Sequence, residues 1–283
     1  MSLGNHVFPL LNDFAGNLGF HFKDLCDAEL FTINTNKVFS AASVIKIPLC
    51  LTVLEQCEKG KYHLEDLRPI SSCNKVGGTG VIQNLNDRYI PTIGELITLA
   101  ISVSDNIATN ELIDLVGGPE VVNDYCQNKG IYKTKLQRKM LDLEARKVGK
   151  DNWMTVGEVG KLLEEISNAI YGGDDKAREM VRPLFKGMVM QQCRNKIPAK
   201  IPAFDYYDLT AEYLPTTGQV LVANKTGDLW TTQNDVAICA LPNGVKYIVA
   251  ICTDELKIAQ QGIETIGNLS KAVYDYMCMK YSL

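Results

Sequence analysis

Strand-type alternation occupies both ends of this chain and helical periodicity fills its middle, which leaves few ways to fold it. Residues 18–25 (GFHFKDLC) and 29–34 (ELFTIN) alternate apolar and polar positions about a polar turn at Asp27, as two paired strands do. Beyond residue 218 the period-two pattern returns in QVLVANKTG, DVAICALP and VKYIVAICT. The last two are joined by LPNGVK, whose Asn-Gly pair is a strong hairpin signal. Between these ends, from Ser43 to about Gln192, apolar residues recur at helical spacing. In TIGELITLAISV, Thr92 is placed to cap the helix, with Glu95 three residues on. Residues 5–16 also read as helical, and a closing helix is expected from about Glu255 to Lys280.

The expected fold class is α/β of the α+β kind. One antiparallel sheet is built from both termini with flanking helices, and an all-helical lobe is inserted between them. The implied boundaries are residues 1–45 and 195–283 for the sheet domain and 46–194 for the helical domain. Residues 193–218 hold three prolines and three tyrosines and read as an ordered crossing loop, serving as a functional rim or a structural strap.

Composition excludes several function classes. With 283 residues, 46% of them apolar and 22% charged, the chain is an ordinary globule able to bury a sizeable core. A net charge of -4 with no basic block argues against a nucleic-acid partner. No apolar run reaches the roughly 18–20 residues that a bilayer span needs. Nine cysteines, an odd number without any C-x-x-C, mostly lie among apolar neighbours and read as reduced core thiols, not metal ligands. That usage, with a start lacking the charged and apolar segments of a leader, favours the cytoplasm. A chain trimmed of its leader would be exported instead.

Three short segments carry chemistry. In FSAASVIKIP, Ser43 and Lys46 are three apart at an expected helix start, which puts the Lys46 Nζ on the same face as the Ser43 Oγ. A serine hydroxyl is a poor nucleophile until its proton is taken, and a desolvated lysine is able to take it. Ser72 and Lys75 repeat the spacing in a polar, glycine-flanked stretch where no helix is expected to align them. ISVSDNIATN sets Ser104, Asp105 and Asn106 between two helical runs, where Asn106 also suits a helix cap. In VLVANKTGDLW, Lys225, Thr226 and Gly227 end a β-type run.

In this order, S-x-x-K, S-D-N and K-T-G, the chain resembles the class A-type serine β-lactamase and penicillin-recognising family. The resemblance covers nearly the whole length and implies a β-lactamase/transpeptidase-like fold. By resemblance, Ser43 is the acylated nucleophile and Lys46 its proton acceptor, Ser104 relays a proton to the departing nitrogen, and Asn106 holds the amide side chain of the substrate. Lys225 and Thr226 would bind the substrate carboxylate, and Gly227 would let the strand edge approach it. The backbone N–H groups of Ser43 and Asp228 would form the oxyanion hole. The implied partner is a small-molecule β-lactam or a D-Ala-D-Ala-like acyl substrate. No metal or organic cofactor is expected, since each step uses side chains and backbone amides.

One segment departs from the pattern. Efficient members of the family usually carry R-x-E-x-x-L-N after the S-D-N lobe, with a glutamate that activates the deacylating water. In LQRKMLDLEARK, Arg138 matches the arginine, with Asp151 as its expected salt-bridge partner, but Met140 stands at the glutamate position. The substitute base is Asp142 or Glu144, which otherwise read as solvated loop charges, or else Lys46 acting in both half-reactions, and Met140 reads as a packing residue. The expected activity is therefore an acyl-serine β-lactam hydrolase with slow release. The alternatives are a D-Ala-D-Ala peptidase or esterase and a non-hydrolysing penicillin-binding sensor.

Overall fold

The structure is a computed structural model and describes residues 2–203 and 218–283. In chain order the elements are α1 (Gly4–Val7), β1 (Asn17–Asp24), β2 (Leu30–Ile33), β3 (Phe39–Ser40), α2 (Lys46–Glu58), α3 (Ile93–Ser102), α4 (Asn106–Val116) and α5 (Pro119–Asn128). They continue as α6 (Leu143–Lys147), β4 (Trp153–Met154), α7 (Val156–Tyr171), α8 (Asp175–Val189), β5 (Leu221–Leu229), β6 (Thr232–Ala240), β7 (Lys246–Asp254) and α9 (Ala259–Tyr281). The chain divides into two compact units, Met1–Val44 with Thr155–Glu164 and Cys193–Leu283, and Ile45–Met154 with Glu165–Gln192. Residues 155–164 group with the sheet, although chain order alone puts them inside the helical stretch.

The first unit holds an antiparallel sheet of order β2-β1-β7-β6-β5. The two ends of the chain meet in it, because β1 pairs with β7, with Phe20 opposite Ile251 and Phe22 opposite Val249. Those side chains join Leu18, Val222, Ala237 and Cys239 in a core that α9 covers with Ile266, Leu269, Val273 and Met277. Burying each such Leu, Ile or Phe side chain is worth about 1.5–3 kcal/mol. The Asn243-Gly244 turn joins β6 to β7 with Gly244 at φ +84°, a left-handed backbone that glycine adopts without a Cβ penalty. β5, which carries the K-T-G segment, is the last strand of the order.

The helical unit is built around α2, whose Ile47, Leu49, Cys50, Val53 and Leu54 are buried. Pro48 fits there because the first turn of a helix has no intrahelical partner for its N–H groups. The Thr92–Glu95 capping box forms at the start of α3. α8 approaches α3 closely at Gly187, where a Cβ would come within 2.9 Å of Ile101.

Two helix expectations shorten. Instead of one helix over residues 5–16 there are four residues of α1 and a 3-10 turn, Phe8–Leu11. Pro9 has no N–H to continue the i to i−4 ladder. The closing helix begins at Ala259, after Glu255 has turned into the left-handed region at φ +56°. Of the expected crossing loop 193–218, residues 204–217 lie outside the described residues.

Candidate active site

The helical unit gathers Lys46, Ser104 and Asn106. Lys46 opens α2 and is fully buried. Its Nζ donates to the Ser104 carbonyl at 2.6 Å, the Ser104 Oγ at 3.0 Å and the Asn106 Oδ1 at 3.1 Å. The S-x-x-K lysine and the S-D-N segment, nearly sixty residues apart in the chain, are thus one hydrogen-bonded group.

The S-D-N turn is held in a conformation that costs energy. Ser104 sits at φ +54°, which disfavours a residue with a Cβ by roughly 1–2 kcal/mol. Asp105, not Asn106, is the helix cap. Its Oδ1 accepts from the N–H groups of Ile107 and Ala108, and its Oδ2 from those of Val81 and Ile82. Asn106 is thereby released from capping, and its Nδ2 donates to the Gly77 carbonyl. The GGTG stretch explains itself here. A Cβ on Gly80 would lie 2.4 Å from the Asp105 carboxylate, and one on Gly78 would lie 2.8 Å from the Asn106 Nδ2. The second S-x-x-K copy makes one 3-10 turn, Ser72–Asn74, and its Lys75 is ion-paired with Asp87 at the surface.

The loop with the departure closes on itself. Lys135 and Trp153 exchange backbone hydrogen bonds at 2.9 Å each, and Arg138 binds Asp151 through Nε and Nη2 at 3.0 and 2.6 Å. Met140 is buried, and its backbone is clasped by Asn110 of α4. The Met140 N–H donates to the Asn110 Oδ1 at 2.8 Å, and the Asn110 Nδ2 donates to the Met140 carbonyl at 3.3 Å. Asn110 lies one helical turn from Asn106, on the same face. Residue 140 is therefore fixed beside the face of α4 that carries Asn106. Asp142 caps α6 by accepting from the Ala145 N–H, and Glu144 pairs with Lys147 with its side chain 83% exposed.

The sheet unit holds the other set. Ser43 is half-buried in a 3-10 turn, Ala42–Ile45, that runs directly into α2. Gly227 of β5 lies against this turn, since a Cβ there would come within 2.7 Å of the Ala41 carbonyl and 3.2 Å of the Ala42 Cβ. Opposite Gly227 in the register is Asn234. It is fully buried, and its Nδ2 donates to the carbonyls of Ser40 at 2.9 Å and Ala41 at 3.4 Å. Next to these carbonyls Ala42 is held at φ +44°. A missing side chain on one strand and an amide on its neighbour together hold the turn that carries Ser43.

Lys225 is fully buried and donates to the Thr226 carbonyl at 2.8 Å. Burial lowers its pKa to about 8, although Asp228 and Asp235 pull in the other direction. Asp235 lies opposite Thr226, accepts from Asn224 and from the Ile197 N–H, and is raised by burial to about 6. Lys196, also fully buried, is ion-paired with the Asp228 carboxylate.

The Beta-lactamase enzyme family model matches residues 3–277 of this chain. The chain belongs to the β-lactamase enzyme family. It is 25% identical over 268 residues to the extended-spectrum β-lactamase PER-1 of Pseudomonas aeruginosa, covering 90% of this chain and 81% of the relative. A β-lactamase structure from Sphaerobacter thermophilus superposes with a TM-score of 0.81 at 27% identity, over 98% of this chain and 97% of that one. A point mutant of PBP-A, solved as an acyl-enzyme complex with penicillin G, gives a TM-score of 0.81 at 22% identity, over 97% of this chain and 96% of that one. The mixed fold, helices with a five-stranded antiparallel sheet, is that of class A-type serine β-lactamases.

Several residues of this β-lactamase-family chain escape a motif search. Asn110, Lys196, Asn234 and Asp235 act on the motif residues only through strand register or helix packing. Only the N-D at positions 234–235, polar inside a β-type run, is a visible signal. His21 is buried in β1 above Gly160, its pKa lowered to about 4 chiefly by burial, as a structural histidine requires. Among the described residues one carboxylate cluster, Asp24, Asp27 and Glu29, has the spacing of a metal site. The Lys280 Nζ already sits 2.6–2.8 Å from all three carboxylates. No described helix is long and apolar enough to cross a membrane.

Proposed function

We propose that the chain is a serine acyl-transfer hydrolase that opens β-lactam amides through an acyl-enzyme on Ser43 and releases the product slowly. The observation that carries this reading is the buried Lys46 Nζ bound to Ser104 and Asn106, joining two of the three motifs. The Ser43 Oγ attacks the lactam carbonyl carbon as its proton is taken up by the Lys46 amine. The oxyanion is stabilised by the backbone N–H groups of Ser43 and Asp228. The C–N bond then breaks, and the Ser104 hydroxyl gives its proton to the departing nitrogen and regains one from Lys46. Asn106 orients the acyl side chain, and Lys225 with Thr226 holds the substrate carboxylate.

Deacylation needs a base for the attacking water. Met140 offers none, Asp142 is occupied as a helix cap, and Glu144 is paired at the surface. The base of this step is assigned to Lys46, three residues from Ser43. A penicilloyl-holding sensor is the second reading, favoured by the same Met140. The deciding experiment is a time course of intact mass after benzylpenicillin is added, with peptide mapping of the adduct. A stoichiometric adduct on the Ser43 peptide that is lost over minutes to hours supports a slow hydrolase. One that persists points to the sensor, and none at all overturns the reading.

The buried Lys225 also gives a pH dependence. Its charge is lost as pH rises through about 8, so about a tenth of it remains at pH 9. Acylation by benzylpenicillin, divided by that of its uncharged methyl ester to cancel what both substrates share, is expected to fall about tenfold from well below pH 8 to pH 9. A ratio constant to pH 10 would remove Lys225 from carboxylate binding.

A further inference from the structure

Side chains two apart on a strand share a face, and residues opposite in the register share it too. Thr226 and Asp228 of β5 therefore share one face with Asp235, which lies opposite Thr226. The cation paired with Asp228 on this face is Lys196. Its side chain is entirely buried, and its Nζ is ion-paired with the Asp228 carboxylate, with the Asn234 carbonyl at 3.5 Å. The Asp228 side chain is 47% exposed. A molecule arriving beside Thr226 thus meets a carboxylate, with the lysine that neutralises it hidden beneath. Lys225, on the opposite face of the strand, also feels Asp228 and Asp235. Of the cations around this site, Lys196 is ion-paired beneath Asp228, Arg194 is half-buried and donates to the Val222 carbonyl and the Asn224 Oδ1, and Lys225 is buried on the other face, which leaves the Asp228 carboxylate as the exposed charge among them.

We propose that Asp228 sets the substrate class, so that the end of β5 favours acyl donors uncharged where a penicillin carries its carboxylate, such as neutral esters and amides. The inference rests on the Ser43 acyl-transfer reading and deepens it. A β-lactam carboxylate placed on the Thr226 hydroxyl would be the third carboxylate on this face, and like charges at such spacing repel. Because Asp228 contributes its backbone N–H to the proposed oxyanion hole, changing its side chain leaves that donor in place.

The test compares second-order acylation rates for benzylpenicillin and its methyl ester on wild type, Asp228→Asn and Asp228→Ser. Both variants are expected to raise the penicillin-to-ester rate ratio about tenfold or more. The ratio within each protein is the readout, since any change at the oxyanion hole acts on both substrates alike. In wild type, added salt should raise the penicillin rate and leave the ester rate level, as screening weakens the repulsion. If either variant folds poorly, shown by its melting temperature, the other variant and the wild-type salt series decide. Acylation of wild type by both compounds with a ratio that neither variant nor salt shifts overturns the inference and leaves the Ser43 reading standing. Failure of every protein to form an adduct with either compound overturns that reading, and the inference with it.

Discussion

Ser43→Ala is expected to take up no penicilloyl group at any time, and Lys46→Met to acylate at least about 10³-fold more slowly, some 4 kcal/mol of barrier. The first result follows from removing the only oxygen proposed to form the ester. The second has two physical sources. Methionine cannot accept the serine proton, and general-base assistance alone is worth about 10²–10⁴-fold. Methionine also takes the Lys46 donor from the buried Asn106 Oδ1, while the Ser104 carbonyl keeps the Thr79 Oγ1. A buried acceptor that loses its donor costs about 1–3 kcal/mol, so the Lys46→Met protein should also melt at a lower temperature. The two effects separate by pH. A lost base flattens the rise of acylation rate with pH, while a purely structural loss lowers the whole profile without changing its shape. Stopped-flow acylation across pH 6–10 (about the working range) with a parallel thermal melt reads both. A Ser43→Ala protein that still gains the penicilloyl mass would refute the assignment of the nucleophile.

The sheet was legible because its strands obey a two-residue period and its hairpin carries an Asn-Gly turn. Local rules cover such features. The Thr92–Glu95 box was legible for the same reason, its partners being three residues apart. The three motif segments were legible as short patterns, but their joining was not. Nothing in FSAASVIKIP states that Lys46 reaches Ser104, fifty-eight residues on. The reach depends on how α2 packs against α4 in the helical core. Asn106 also suited a cap because Asp, Asn and Ser are all good caps, and only the fold shows that the helix uses Asp105. Lys196 illustrates the opposite limit. It lies in an irregular stretch with no periodicity, and the burial that makes it matter is set by α9, β5 and β6 packing around it. The glycines of GGTG look like a loop until Asp105 and Asn106 are seen lying where their side chains would be.

Met140→Glu is expected to speed release of the penicilloyl group by about 10²–10⁴-fold while leaving acylation within about tenfold of wild type. The position is suited to a base for a reason independent of the motif count. The backbone of residue 140 is clasped on both sides by Asn110, so a new side chain starts from a fixed point beside the face of α4 that bears Asn106. The Asn106 Oδ1 is bound by Lys46, and a carboxylate on that face would gain from a nearby cation. The substitution exchanges a buried thioether for a charge, so the protein should lose stability, and a melting temperature several degrees lower is part of the expectation. The control is Asp142→Asn with Glu144→Gln. Neither carboxylate is placed to serve the water, so that double variant should release product at the wild-type rate. Burst and steady-state phases of nitrocefin hydrolysis separate the two half-reactions. A folded Met140→Glu protein whose burst is intact and whose steady-state rate is unmoved would mean that slow release has a cause other than the missing glutamate. Loss of turnover in the Asp142 and Glu144 variant would return the role of base to the loop.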